Sequence, residues 1–308
     1  MTGTAIVTRN LAKRRGRRRA LDGFTLTVPR GAIMGLVGAN GAGKTTWMMT
    51  VAGFLRPDSG EMDVLGGGPF DAMKHAGRFS ILPQDSALPL EVSPFAALYR
   101  FGRIQGLAPG AARRSADAAL AAVNLGDRAG SSARSLSHGM RKRMMVAQCF
   151  VGQPEVVLLD EPLNGLDPIE ADRLRRFILA QRGRRTIVVS SHNLEDVERL
   201  CTHVAFVEKG RVVRTDALAS ITHGASRMVY TLAAEPTDYT ALSAAVPGAE
   251  FRWQASERRL TCEFDMDAGG PAAINSRILP VLLAQTGVLA ASPGRSLEEA
   301  FLERSSPG

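Results

Sequence analysis

Short apolar runs alternate with amphipathic stretches along most of this chain. Phe24-Thr25-Leu26-Thr27-Val28 alternates at period two, as a half-buried strand does. Ala32 to Val37, Phe79 to Leu82, Val156 to Leu159 and Thr186 to Ser190 are mostly apolar and short, the pattern of strands buried on both faces. Helical spacing fills the gaps, from Thr45 to near Gly53, from Ile169 to Gln181 and from Asn193 to Leu200. Such alternation predicts an α/β fold with a mainly parallel sheet covered by helices. Residues 91–151 are rich in Ala and Arg and carry only helical periodicity, so a helical subdomain is expected there. Ala5 to Arg9 and Leu21 to Val28 read as two further β-like stretches, and Pro57-Asp58-Ser59-Gly60 as a turn. Val204 to Val207 and Arg211 to Val213 flank Lys209-Gly210, a hairpin signal.

Composition shifts near Thr222-His223-Gly224. Two domains are therefore expected, 1–222 and 225–308. The second reads as strand Arg227 to Leu232, helix near Tyr239 to Ala245, strands Glu250 to Trp253 and Leu260 to Phe264, helix Ala272 to Gln285 and a closing helix near Ser296 to Glu303. It is a small α+β domain in which no catalytic constellation is visible.

At 308 residues with 45% hydrophobic content, the chain has ample material for a core. No run of 18 or more apolar residues occurs, so no transmembrane helix is expected. The first seven residues lack a charged segment leading into an apolar one, so no secretory signal is expected. Cys149, Cys201 and Cys262 have no metal-binding spacing and suit a reducing compartment. The net charge of +8 is mostly local, because Lys13 to Arg19 carries six positive charges. That run reads as a solvated hairpin tip, with contact to anionic headgroups or a nucleotide as the sharper alternative. No aromatics interleave with it, so nucleic acid is not an expected partner.

Chemistry concentrates between Gly38 and Thr46. Gly-Ala-Asn-Gly-Ala-Gly-Lys-Thr-Thr fits G-x-x-x-x-G-K-[ST], between an apolar strand and a helix. Gly38, Gly41 and Gly43 let the backbone wrap a phosphate, with Asn40 in the loop and Thr46 at the helix start. Lys44 is expected at the β- and γ-phosphates and the Thr45 hydroxyl at Mg²⁺. The expected ligands are ATP and Mg²⁺. Val156 to Leu159 ends in Asp160-Glu161. Ligands in such sheets lie beyond the strand C-termini, which puts Asp160 near the metal and leaves Glu161 to polarise water.

Four further pieces complete a pattern. Gln84 follows the strand ending at Leu82. Leu136-Ser137-His138-Gly139-Met140 leads into a basic helix. Asn164-Gly165-Leu166-Asp167-Pro168 follows the carboxylates, and His192 ends the next strand. In this order they resemble the Walker A, Q-loop, signature, Walker B, D-loop and H-switch of ABC transporter ATPases, over roughly the first 220 residues. The resemblance implies the ABC variant of the phosphate-loop fold, with an antiparallel β-subdomain beside the main sheet. It also implies a head-to-tail dimer, with Ser137 and Gly139 binding the partner's γ-phosphate and Asp167 lying across the interface. Glu161 would be the general base and His192 would hold the γ-phosphate and water. Gln84 would contact Mg²⁺ and link the site to the helical subdomain.

Two departures stand out. His138 and Met140 replace a glycine and a glutamine of the usual LSGGQ signature. Arg15 stands where the family usually has an aromatic on adenine, and a guanidinium can stack on a base as well. The tail, with Ser296-Leu297-Glu298-Glu299-Ala300-Phe301-Leu302, resembles exporters of drugs and antibiotics whose membrane half is a separate chain. The implied partners are a polytopic membrane subunit and a second ATPase subunit, as a homodimer or heterodimer, at the cytoplasmic face of the membrane. A soluble ABC ATPase acting on ribosomes or DNA is the alternative. The single phosphate loop and the lack of a heptad run argue against it.

Overall fold

The structure is a computed structural model that describes residues 3–218, 227–264 and 270–293. The chain forms two compact units, Met1–Thr215 and Asp216–Gly308. The expected closing helix near Ser296 lies outside the described residues, as does the composition shift at Thr222.

Two sheets build the first unit. Strands β1 (Thr4–Arg15), β2 (Arg18–Pro29) and β4 (Ser59–Val64) form an antiparallel sheet in the order β2-β1-β4. Strands β3 (Ile33–Val37), β5 (Phe79–Leu82), β6 (Val156–Leu159), β7 (Thr186–Ser191), β8 (His203–Glu208) and β9 (Arg211–Ala217) form the second, in the order β5-β6-β7-β3-β8-β9. Its pairs from β5 through β8 are parallel. Helix α1 (Lys44–Val51) follows β3, and six of its eight residues are buried. A helix buried nearly all round must be covered on both sides. Here Trp47 and Met48 share one core with Phe24 and Leu26 of the small sheet and with Leu36, Leu158 and Val188 of the large one. Trp47 stacks on Phe24 at 5.7 Å and donates its indole N–H to Thr8 Oγ1 at 3.2 Å.

Helices α2 (Pro94–Ile104), α3 (Pro109–Ala122) and α4 (His138–Gln148) occupy the stretch expected to be helical. Helix α5 (Pro168–Leu179) starts at an Asp167 cap, and α6 (Leu194–Leu200) at an Asn193 cap. Each cap side chain accepts two backbone N–H bonds, which fixes where the helix begins.

Two readings from the sequence need correction. The strands of the first hairpin are longer than expected and absorb the basic run, with Arg14 opposite Arg19 and Arg15 opposite Arg18. Only Gly16-Arg17 forms the turn. Counterions allow this, since Lys13 pairs with Asp58 at 3.0 Å and Arg19 with Asp22 at 2.9 Å. The turn expected at Pro57 to Gly60 gives way at Ser59 to strand β4, whose two apolar residues, Met62 and Val64, are too few to announce a strand.

The second unit runs β10 (Arg227–Leu232), α7 (Tyr239–Ala245), β11 (Glu250–Gln254), β12 (Arg259–Glu263), α8 (Gly270–Gln285) and β13 (Val288–Pro293). Its sheet is antiparallel in the order β11-β12-β10-β13. This βαββαβ arrangement is ferredoxin-like. Tyr230, Leu260 and Cys262 from the sheet form its core with Leu242, Ile274, Ile278 and Leu282 from the helices. Strand β13 was not expected, because Val-Leu-Ala-Ala-Ser-Pro lacks both alternation and β-branched residues after its first position.

Candidate active site

Four adjacent strands, β5, β6, β7 and β3, end on the same side of the large sheet. From those ends emerge Gln84, Asp160 with Glu161, His192 and the Gly38–Thr46 loop. Carboxyl ends of parallel strands are where α/β sheets bind ligands. The loop enters α1 through Gly43, at φ 119°, with no side-chain cap. A Cβ on Gly43 would sit 2.7 Å from the Ala20 carbonyl oxygen, so the position accepts only glycine. The uncapped first turn leaves backbone N–H groups for an anion.

Lys44 is 5% exposed and folds back over the loop. Its ammonium donates to Gly38 O at 2.5 Å and Ala39 O at 3.3 Å, and lies 3.9 Å from Glu161 Oε1. Burial pulls its pKa down, while the Glu161 and Asp160 carboxylates oppose that shift. Glu161 is buried, and its Oε2 is 3.1 Å from His192 Nδ1. A cavity of about 530 Å³ joins these parts. Arg15, Asn40, Gly41, Gly43, Lys44, Thr45, Thr46, Gln84 and Glu161 all line it. Asp160 lies beside Glu161, 1% exposed.

Mg²⁺ fits the groups gathered here. Asp160 Oδ2 is buried without a hydrogen-bond partner. Buried carboxylate oxygens without donors are costly unless a cation meets them. Thr45 and Gln84, which line the cavity, would add a hydroxyl and an amide oxygen of the hard kind that Mg²⁺ takes together with phosphate oxygens.

Ser137 and Gly139 are not in this cavity. Ser137 caps α4, its Oγ accepting from Met140 N at 3.2 Å. A Cβ on Gly139 would lie 2.9 Å from Glu170 Cγ, so the glycine has a packing role within its own chain beside the expected phosphate role. Two residues escaped the sequence reading. Lys142 is buried on α4; burial lowers its pKa, and the nearby Glu161 and Asp160 charges raise it. Ser190 is fully buried in β7 and bonds to both carboxylate residues. A serine among Thr-Ile-Val-Val was the available signal, since a buried hydroxyl needs a partner.

A phosphate loop facing two carboxylates and a histidine across the ends of adjacent parallel strands defines a nucleoside triphosphatase. The ABC transporter family model matches residues 21–164. Daunorubicin resistance ATP-binding protein DrrA3 of Streptomyces coeruleorubidus is 36% identical over 221 residues, covering 69% of this chain and 68% of that protein. Nod factor export ATP-binding protein I of Ralstonia nicotianae is 34% identical over 208 residues, covering 66% and 64%. A solved ATP-binding subunit of an ABC transporter superposes with a TM-score of 0.63 at 26% identity, over 70% of this chain and 91% of that one. A dimeric ATP-binding cassette bound to ADP and Pi shares the fold at 18% identity, with a TM-score of 0.62 over 69% and 98%. The chain belongs to the ATP-binding subunits of the ABC transporter family, alongside exporter-type relatives, and is an ATPase. Among the described residues no helix is long and apolar enough to cross a membrane.

Proposed function

We propose that this chain powers export through a separate polytopic membrane subunit, hydrolysing ATP at the cavity where the phosphate loop meets Glu161 and His192. The observation that carries the reading is the joining of Lys44, Thr45, Gln84 and Glu161 in one cavity, with His192 on the Glu161 carboxylate. Relatives named for daunorubicin resistance and Nod factor export support the export reading, which would place the chain at the cytoplasmic face of the membrane.

Lys44 and the first turn of α1 bind the β- and γ-phosphates. Lys44 would exchange its bonds to Gly38 O and Ala39 O for phosphate oxygens. Thr45, Gln84 and Asp160 hold Mg²⁺, which when bound neutralises charge on the β- and γ-phosphates. Glu161 Oε2 is engaged by His192, which leaves Oε1 to take a proton from water. The water oxygen bonds to the γ-phosphorus, the bond to the β-phosphate bridging oxygen breaks, and ADP and phosphate leave. His192 orients Glu161 and contacts the γ-phosphate. Ser137 and Gly139 act on the nucleotide of a second ATPase subunit, with Asp167 at that interface. Arg15 contacts the adenine.

Steady-state hydrolysis by Glu161→Gln tests the catalytic half. A loss of ~100-fold or more with ATP still bound is expected, and an unchanged rate would sink the base assignment. Affinity purification from detergent-solubilised membranes tests the transport half. A polytopic membrane chain in near-equal amount is expected. Ribosomal or DNA-bound partners without one would move the protein to the soluble class.

A further inference from the structure

We propose that Ser190 is a positioning residue for hydrolysis, which holds the backbone of Glu161 and the carboxylate of Asp160 through one hydroxyl. The proposal rests on the roles given above to those two residues. Strand register brings the three together. Leu159 of β6 pairs with Val189 of β7, so Asp160 stands one step beyond, opposite Ser190. Side chains alternate along strands, which turns Ser190 the same way as Val188 and Asp160 the same way as Leu158. Ser190 is 0% exposed. Its Oγ accepts the Glu161 N–H at 2.8 Å and donates to Asp160 Oδ1. A serine hydroxyl has one proton. Here that proton is committed to Asp160, and a lone pair to Glu161.

The backbone of Glu161 explains why such a hold is needed. Its φ is 48°, a left-handed conformation that a glutamate keeps only when its surroundings fix it. Ser190 fixes it from the N–H side, and Asn164 N donates to the Glu161 carbonyl at 3.3 Å. Two residues beyond Ser190, His192 takes the Glu161 carboxylate. The end of β7 thus grips Glu161 at both backbone and side chain. The bond to Asp160 Oδ1 also leaves Oδ2 as the oxygen of that carboxylate with no hydrogen-bond partner among the described residues.

Ser190→Thr and Ser190→Val have the same bulk and differ in the hydroxyl alone. In the full-length chain, Ser190→Thr is expected to keep kcat within about threefold of wild type, because the hydroxyl that sets the geometry remains. Ser190→Val is expected to lose ~10- to 100-fold, the scale set by misplacing a catalytic group. Neither variant should move KM, or the Kd for ATP measured without turnover, by more than about threefold. Ser190→Ala removes the hydroxyl without adding bulk, and should show the same ~10- to 100-fold loss in a folded protein if the β-branched Val variant misfolds. Equal kcat for the Thr and Val variants, or a change in KM with kcat intact, would overturn the proposal. Glu161→Gln run beside them separates the two readings. A wild-type rate there defeats the base assignment, whereas an inactive Glu161→Gln beside a fully active Ser190→Val defeats only the role of Ser190.

Discussion

The strand-end cluster and the turn at Ser137 to Gly139 are built in opposite ways. Lys44, Asp160 and Glu161 are all buried, and their polar atoms reach one another or Ser190 within the same chain. Ser137 and His138 are exposed. Beyond its capping bond, Ser137 turns to nothing in the nucleotide cavity. What holds the turn is the base of α4. Arg143 is 3% exposed, with Nε 2.5 Å from Glu170 Oε2 on α5, and it donates to the Val123 carbonyl after α3. The first region is a site prepared for a ligand. The second is a rigidly mounted edge that faces outward, which suits a surface completed by another molecule.

The largest expected effect comes from breaking each side in a separate chain and mixing the two. Lys44→Ala should abolish hydrolysis, by ~1000-fold or more, since it removes the ammonium that donates to Gly38 O and Ala39 O across the loop. Ser137→Arg should do likewise by filling the turn. If the phosphate loop of one chain works with the turn of another, a mixed dimer keeps one intact pair, and mixing restores a substantial fraction of wild-type ATPase. Absence of any recovery in verified mixed dimers would show that each chain completes its own site, and the contrast between closed and open regions would lose its meaning.

A smaller effect tests the mounting. Arg143→Met keeps length and apolar stem but leaves the Glu170 carboxylate, among the described residues, with Arg173 at 2.8 Å as its ion-pair partner. Removing one member of a buried pair typically costs about 3 kcal/mol. Urea unfolding of the full-length chain should show a loss of that order, with m unchanged. A loss below ~0.5 kcal/mol would mean that packing at Gly139, and not the ion pair, fixes α4 against α5.

The same contrast explains what was legible in the sequence. Strand-end chemistry follows chain order. Each of β3, β5, β6 and β7 leads into a residue of the cluster, so Lys44, Asp160 and Glu161 could be read from the phosphate-loop pattern and the strand end, and Gln84 and His192 from the resemblance of the motif order to ABC transporter ATPases. Ser190 and Lys142 approach the carboxylates across the sheet and from a helix, and their positions depend on packing that spacing does not reveal. Gly139 was read as a phosphate contact; its approach to Glu170 links residues that only the packing of α4 on α5 brings together. Strands β4 and β13 were missed because their pairing, and not their residues, makes them strands. Charges hid the true length of the first hairpin, since β1 and β2 continue through the basic run, and Lys13 finds its partner Asp58 far away in sequence.

The smallest expected effect concerns Arg15, on the first hairpin. Arg18, its partner in the hairpin register, is tied to the loop by donating to Gly41 O at 2.5 Å. Arg15 lines the cavity with its side chain exposed. A guanidinium is planar and stacks on a base, which an ammonium does not do as well. Arg15→Ala should therefore weaken ATP binding by ~3- to 5-fold, in keeping with the ~0.5–1 kcal/mol of an exposed cation–π contact. Arg15→Tyr should retain affinity and Arg15→Lys should not. Inorganic triphosphate distinguishes base from phosphate contact, because it lacks the base. If Arg15→Ala weakens triphosphate as much as ATP, the residue acts through charge on the phosphates, and the hairpin belongs to the phosphate side of the site.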